Sequence, residues 1–211
     1  MEKGVSIQTI QRMPLYLNYL RELPSGASST ISAKTIAEAL SLGEIQVRKD
    51  LAAVSSGGKP KIGYETQGLI NEIERFLGYN EIHDAVLAGA GKLGRALLSY
   101  SGFQAYGMNI VAAFDTDEAS IGKSEGDKPV FALEKLPELV GRMNIRVGII
   151  TAPAQAAQRV CDLMVASGIL AIWNFAPAHL RAPENILIRS ENMAASLAVL
   201  GKHLQKTLGN D

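Results

Sequence analysis

The run Gly89-Ala90-Gly91-Lys92-Leu93-Gly94 constrains this chain more than any other stretch. A short apolar run, Ala85 to Ala88, leads into it, and a helical pattern follows at once. The spacing is G-x-G-x-x-G. A nucleotide-binding turn uses one glycine for the bend, one for close approach of a pyrophosphate and one for helix–strand packing. The new helix then offers unpaired N–H groups to the phosphates. An ordinary glycine-rich corner would read the same way. A second strand-like run, Asn109 to Phe114, ends in Asp115 about 20 residues further on, where a ribose-binding carboxylate belongs. The two halves together predict dinucleotide binding. An acid at that position favours the free 2′-hydroxyl of NAD(H) and repels the 2′-phosphate of NADP(H).

The rest of the C-terminal region alternates strand and helix signals. Pro129-Val-Phe131 reads as a short strand and Leu133 to Gly141 as a helix. Arg146 to Ile150 reads as a buried strand ending in Thr151-Ala152-Pro153, a corner suited to the nicotinamide side of such a cleft. Ala156 to Ser167 reads as a helix, Ile169 to Asn174 and Phe175 as the next strand, and Asn185 to Arg189 as the last. The expected class is α/β, a Rossmann-like parallel sheet with ligands at the strand carboxyl ends.

The N-terminal third has a different pattern. Ser6 is placed to cap a helix with Ile10, Met13, Leu17 and Leu20 on one stripe, and Pro14 either kinks it or starts a second helix. A loop is expected from Pro24 to Ser29. Ser32 caps a short helix, Ser41-Leu42-Gly43 turns, and a helix from Glu44 to Ser55 follows, which is a helix-turn-helix pattern. On that last helix Val47, Leu51 and Val54 share one side. The other side is centred on Lys49, flanked by Ile45, Gln46, Ala52 and Ala53, with Arg48 at its margin. Such a face suits a major groove, with Lys49 or Arg48 reaching guanine or phosphate and Gln46 reaching adenine. A solvated helix face is the alternative. Asp50, near the buried margin, is expected to pair with a cation.

Gly57 to Tyr64 reads as a glycine-rich hairpin with Lys59 and Lys61 near its tip, a wing for the phosphate backbone. An ordinary hairpin with solubilising lysines is the alternative. Ser32, Gln46, Arg48, Lys49, Lys59, Lys61 and Tyr64 form the candidate DNA-facing set. Through Tyr79 there are nine lysines and arginines against eight acids, so the basic character is local. An amphipathic helix with Leu69, Ile70, Ile73, Phe76 and Leu77 closes the domain at Gly78. We expect a winged-helix domain over 1–80, an NAD(H)-binding domain over 81–190 and a terminal dimerisation helix over 191–211.

Over the whole chain, 21 basic and 21 acidic residues balance, so net charge does not advertise a nucleic-acid partner. The lone Cys161 reads as a core residue and fits a reducing compartment. No apolar run reaches the roughly 18 residues of a membrane helix, and Met1-Glu2-Lys3-Gly4 lacks a signal-like pattern, so a cytoplasmic location is expected. His83, His179 and His203 do not stand beside acids at strand ends as a hydride-transfer acid/base would. Neither a catalytic set nor a metal cluster is expected, which suggests a nucleotide that is sensed and not consumed. Ser190 is placed to cap a final helix with Met193, Leu197, Leu200, Leu204 and Leu208 on one stripe, suited to a second subunit.

These residues resemble a family over nearly the whole chain. Val47-Arg48-Lys49-Asp50-Leu51, the glycine turn, Ala113-Phe114-Asp115, Thr151-Ala152-Pro153, Ala156-Ala157-Gln158 and Asn174-Phe175-Ala176-Pro177 together look like the Rex redox-sensing transcriptional repressors. The resemblance implies a homodimer on a palindromic double-stranded DNA operator, released when NADH outcompetes NAD, with the terminal helix exchanged between subunits. The cofactor set it implies is Gly89, Ala90, Gly91, Lys92, Leu93, Gly94, Tyr100, Asp115, Thr151, Ala152, Pro153, Asn174 and Phe175. Relatives relay cofactor state through an arginine on the first helix, an aspartate at the start of the last and a tyrosine after the glycine turn. Here the charged positions hold Asn18 and Ala194, and Tyr100 is retained. Where the family's wing has an aromatic–glycine pair, this chain has Val54-Ser55, which implies a different operator preference. Two other readings remain: an NAD-dependent oxidoreductase with an N-terminal oligomerisation domain, and a repressor whose nucleotide is only structural.

Overall fold

Ser6 opens the first helix, α1 (Ile7–Arg21), by accepting the Thr9 N–H at 3.1 Å. Met13, Tyr16, Leu17 and Leu20 recur at helical spacing, and all are buried. Pro14 lies inside α1 and the helix continues through it, so no second helix begins there. The computed structural model describes residues 5–24 and 28–209 and divides into two units, Met1–Glu81 and Ile82–Asp211. Part of the loop expected over Pro24–Ser29, and the Met1–Gly4 segment, lie outside the described residues.

In the first unit, β1 (Thr30–Ile31) leads to α2 (Ala33–Ala39) and α3 (Glu44–Val54). Ser32 caps α2 by accepting the Thr35 N–H at 3.0 Å. The turn between α2 and α3 is closed by the Leu42 N–H on the Ala37 carbonyl at 2.8 Å, with Ser41 in the left-handed region. Val47 and Leu51 of α3 are wholly buried against α1 and α4 (Thr66–Leu77). Gly78 ends α4 at φ 72°.

The basic segment is less of a hairpin than its sequence suggests. Lys59 and Gly63 bridge each other across a tight turn, and the strand that follows, β2 (Tyr64–Glu65), pairs antiparallel with β1. Gly63 has φ 89°, and a Cβ there would stand 2.3 Å from the Ile31 carbonyl oxygen, so this turn needs glycine. β1 is only two residues long, too short to show an alternating pattern.

The second unit begins with β3 (His83–Ala88), α5 (Lys92–Ser99), a 3-10 segment (Ser101–Tyr106) and β4 (Met108–Asp115). A short hairpin of β5 (Ser124–Glu125) and β6 (Lys128–Ala132) precedes α6 (Leu136–Met143). Then come β7 (Val147–Ile150), α7 (Ala154–Ala166), β8 (Ala171–Asn174), β9 (Leu187–Ser190) and α8 (Met193–Leu208). The sheet order is β5-β6-β4-β3-β7-β8-β9, parallel except for the β5–β6 pair. The chain starts in the middle, winds outward to one edge, returns to the middle and winds to the other. That reversal beside β3 is where an open α/β sheet leaves a crevice.

Successive β3 side chains serve opposite faces. Val86 and Ala88 join Phe114, Leu136, Val160, Cys161 and Met164 under α6 and α7, whereas Ala85 and Leu87 join Leu98, Ile110 and Ile149 under α5. A strand covered on both sides reads as a continuous apolar run. Cys161 is wholly buried, and burial pushes its thiol pKa up, so it is an inert core residue.

Two details of the last segment differ from expectation. Ser190 does not cap α8: it is the final residue of β9, opposite Asn174, and the cap is Asn192, which accepts the Ala195 N–H at 2.9 Å. The α8 stripe is left open within its own chain. Met193, Leu197, Leu200, Leu204 and Leu208 are 57–71% exposed, and α8 buries no residue. No helix among the described residues is long and apolar enough to cross a membrane.

Candidate functional site

The glycine turn sits at the crevice, and each glycine has a different geometric reason. Gly89 takes φ 107°, and a Cβ there would lie 2.7 Å from the Ala152 nitrogen. A Cβ on Gly94 would lie 2.0 Å from the Gly89 carbonyl oxygen, so this position lets α5 press against the turn. Gly91 begins α5 without a side-chain cap, and a Cβ there would meet nothing within 4 Å. With no side chain capping it, the start of α5 keeps its first N–H groups available, as an anion site at a helix start requires.

The neighbouring strand ends hold the turn in place. Thr151 donates its hydroxyl to the Gly89 carbonyl at 2.7 Å. Asp115, at the end of β4, accepts the Ala90 N–H at 2.6 Å on one oxygen. Its other oxygen accepts the N–H groups of Thr116 at 2.7 Å and Asp117 at 2.9 Å. From the far side Arg95 donates Nε–H to the Ala90 carbonyl at 2.9 Å, so Ala90 is gripped through both its N–H and its carbonyl. Arg95 escaped the sequence reading, because the motif ends at Gly94 and nothing in the spacing singles out the next residue.

A cleft of about 570 Å³ opens beside the turn. It brings together Gly89, Ala90, Gly91, Leu93, Asp115, Thr151, Ala152, Pro153 and Phe175 from the expected cofactor set. It also takes in Arg95, Asp117 and Ser120, which the motif does not contain. Four expected residues stand elsewhere. Gly94 lies behind the turn, and Lys92 projects from α5 into solvent. Tyr100 is 53% exposed and packs edge-on against Phe103. Asn174 is wholly buried: its amide N–H groups serve the Ala176 and Ala178 carbonyls, and its oxygen accepts the Ala176 N–H at 2.9 Å. Asn174 thus shapes the Phe175–Ala178 corner and does not face the cleft. No group of three or more histidine, cysteine or acidic side chains able to hold a metal occurs among the described residues.

In the first unit, Ser32, Arg48, Lys59 and Lys61 border a concavity of about 520 Å³ with Lys34, a cation the sequence reading passed over. Lys59 and Lys61 are exposed, and their ammonium groups extend from the tight turn. Arg48 pairs with Glu44 one turn back on α3, and the Ser32 hydroxyl is committed to its cap. Tyr64 also borders the concavity, but only 8% of it is exposed; burial pushes its phenol pKa up and its ring supports Gly58.

Asp50 is 2% exposed and fully engaged. Arg12 grips it with two N–H bonds at 2.6 and 2.9 Å, Tyr16 donates at 2.8 Å and Thr9 at 3.0 Å, all from α1. Gln46 donates one amide N–H at 3.0 Å from α3 itself. Burial opposes the charge on Asp50, but these donors together outweigh it and hold its pKa below the usual carboxylate range. The network fixes the orientation of α3 on α1, and it ties Gln46 back to its own helix.

Two family descriptions match the chain: "Putative DNA-binding protein N-terminus" over residues 4–52 and "CoA binding domain" over residues 80–178. The redox-sensing transcriptional repressor Rex of Treponema denticola is 38% identical over 95% of each chain. That of Pelotomaculum thermopropionicum is 42% identical over 91% of this chain and 90% of its own. Among solved structures, the Rex-family repressor RSP in complex with β-NAD+ and operator DNA superposes with a TM-score of 0.91 at 30% identity, covering 98% of this chain and 95% of RSP. RSP in complex with β-NADH gives 0.87 at the same identity, covering 98% and 97%. This protein belongs to the Rex family of redox-sensing transcriptional repressors.

Proposed function

We propose that the chain works in the cytoplasm as a homodimer that holds operator DNA through residues 1–80 and lets go when NADH replaces NAD in the cleft of residues 81–190. It is a repressor and not an enzyme. The observation that carries this reading is Asp115 at the mouth of the glycine turn, where it can accept ribose hydroxyls beside the open α5 N-terminus. Gly89, Ala90 and Gly91 approach the pyrophosphate, Thr151, Ala152, Pro153 and Phe175 line the nicotinamide side, and Asp115 selects NAD(H). Lys49 reaches bases, while Arg48, Lys59 and Lys61 neutralise phosphates. The apolar stripe of α8 packs on the second subunit.

The switch is a difference in cofactor affinity between two dimer arrangements, since a ligand shifts an equilibrium only by preferring one state. Fluorescence anisotropy of an operator duplex, titrated with NADH and with NAD at fixed salt, tests the reading. NADH should weaken DNA binding more than NAD does. Equal effects would remove redox sensing and leave DNA binding standing. Asn18 and Ala194 in place of a charged pair favour a shallower response than in relatives that keep the pair.

A further inference from the structure

The face of α3 opposite its core carries an apolar side chain that the phosphate-binding reading does not use. Ile45 is 70% exposed, although it lies on the same helix as the wholly buried Val47 and Leu51. It is the second residue of α3, two residues after the Gly43 cap, which carries no side chain, and the intervening Glu44 is turned to Arg48. Lys49, one turn on, and Ala52 beyond it are exposed along the same line, so the stripe runs apolar, cationic, small. The polar residues of that first turn are engaged already: Gln46 with Asp50, and Arg48 with Glu44.

We propose that Ile45 is a base-reading residue, packing its branched side chain on the C5-methyl of a thymine in each half-site of the operator. The proposal rests on the DNA-binding reading above. An aliphatic group can neither donate nor accept a hydrogen bond. The thymine methyl is the apolar feature that the major groove presents to such a group. Recognition helices approach base edges with their N-terminal residues, which is where Ile45 stands. The cations Lys49, Lys59 and Lys61 supply the charge complementarity that makes a nucleic acid the occupant of this face rather than an apolar protein surface. The Arg12–Asp50 pair holds the helix, so the position of Ile45 is set by the core and not by the ligand.

The test uses the full chain and a duplex enriched by it from a random-sequence pool, with each thymine then replaced singly by deoxyuridine. With the unaltered chain, removing the methyl at one position per half-site should weaken binding about fourfold, the worth of one buried methyl group. Ile45→Ala should weaken binding to the thymine duplex by at least that factor and bind thymine and deoxyuridine duplexes equally at that position. Its thermal midpoint should not change, because the side chain is exposed. Lys49→Ala should weaken both duplexes alike and keep the preference for thymine. If Ile45→Ala keeps the full preference, or no thymine proves methyl-sensitive, the proposal is overturned and DNA binding stands. If no duplex is enriched, DNA binding falls and the role of Ile45 with it.

Discussion

The carboxylate of Asp115 accepts the Ala90 N–H at 2.6 Å, so the residue proposed to choose the cofactor also braces the turn that receives it. The two roles can be separated. Asp115→Asn keeps an acceptor for Ala90 but removes the charge, whereas Asp115→Ala removes both. Asp115→Asn should bind NAD(H) a few-fold more weakly and reject NADP(H) less. Asp115→Ala should lose roughly 10- to 100-fold in NAD(H) affinity, the scale of a charge-assisted hydrogen bond. Calorimetric titration of both variants with both cofactors checks this, and unchanged affinities would remove Asp115 from the site.

Asp50 makes folding of the first unit sensitive to acid. Its folded-state pKa lies below the ordinary carboxylate value, so its stabilisation is present above that value and disappears as pH falls through the folded pKa. Thermal melts from neutral pH downward should therefore show a destabilisation that Asp50→Asn, already lacking the charge, does not share. At neutral pH, Asp50→Ala should cost about 3–5 kcal/mol, since it strands the Arg12 guanidinium.

Tyr16 lies on the other side of that network. Burial first, and the bond to Asp50 second, raise its pKa from 10.0 to about 12. The neutral phenol thus stabilises the fold below about pH 10, and this contribution disappears as pH rises through about 12. Ultraviolet titration should show Tyr16 and Tyr64 ionising later than the exposed tyrosines, and Tyr16→Phe should remove the step near 12 while the Tyr64 step stays.

Lys59 and Lys61 stand free of their own chain's core on a tight turn. Replacing both with alanine should weaken binding across operator sequences about evenly. The slope of log affinity against log salt should flatten by roughly 0.9 for each phosphate no longer neutralised. A change in sequence preference with an unaltered salt slope would contradict the phosphate assignment.

The stripe on α8 should hold the dimer together. Leu200 is 66% exposed and Leu204 57% within one chain. Leu200→Lys combined with Leu204→Lys should convert the dimer to monomers in sedimentation equilibrium while leaving the circular dichroism of the sheet intact. A stable dimer would place the interface elsewhere.

The features legible in the chain were those that depend on spacing. The alternation of apolar runs with helical stretches located the parallel strands, because a strand buried on both faces must be apolar throughout. The glycine turn was legible because the left-handed φ of Gly89 and the close approach of Gly94 to the Gly89 carbonyl are set within the turn itself. Ser6, Ser32 and Gly78 marked helix ends through local hydrogen bonds or a left-handed φ, which need only a few neighbouring residues.

What tertiary structure decided were the partners of residues far apart in sequence. Asn174 looked like a cofactor ligand and is a wholly buried brace, because β9 delivers Ser190 opposite it. Ser190 looked like a cap and belongs to that strand. Tyr64 was drawn under the wing by two-residue pairing with β1, and Arg95 reached the glycine turn through one helical turn of rotation. Asp50 was expected to meet a cation, but not to collect donors from Arg12, Tyr16, Thr9 and Gln46 together. The sequence by itself determined the fold class, the glycine turn and the acid at the end of β4, since these follow from local geometry and period. Only the folded chain decided which polar groups remain free for ligands, because that depends on which are already engaged by distant neighbours.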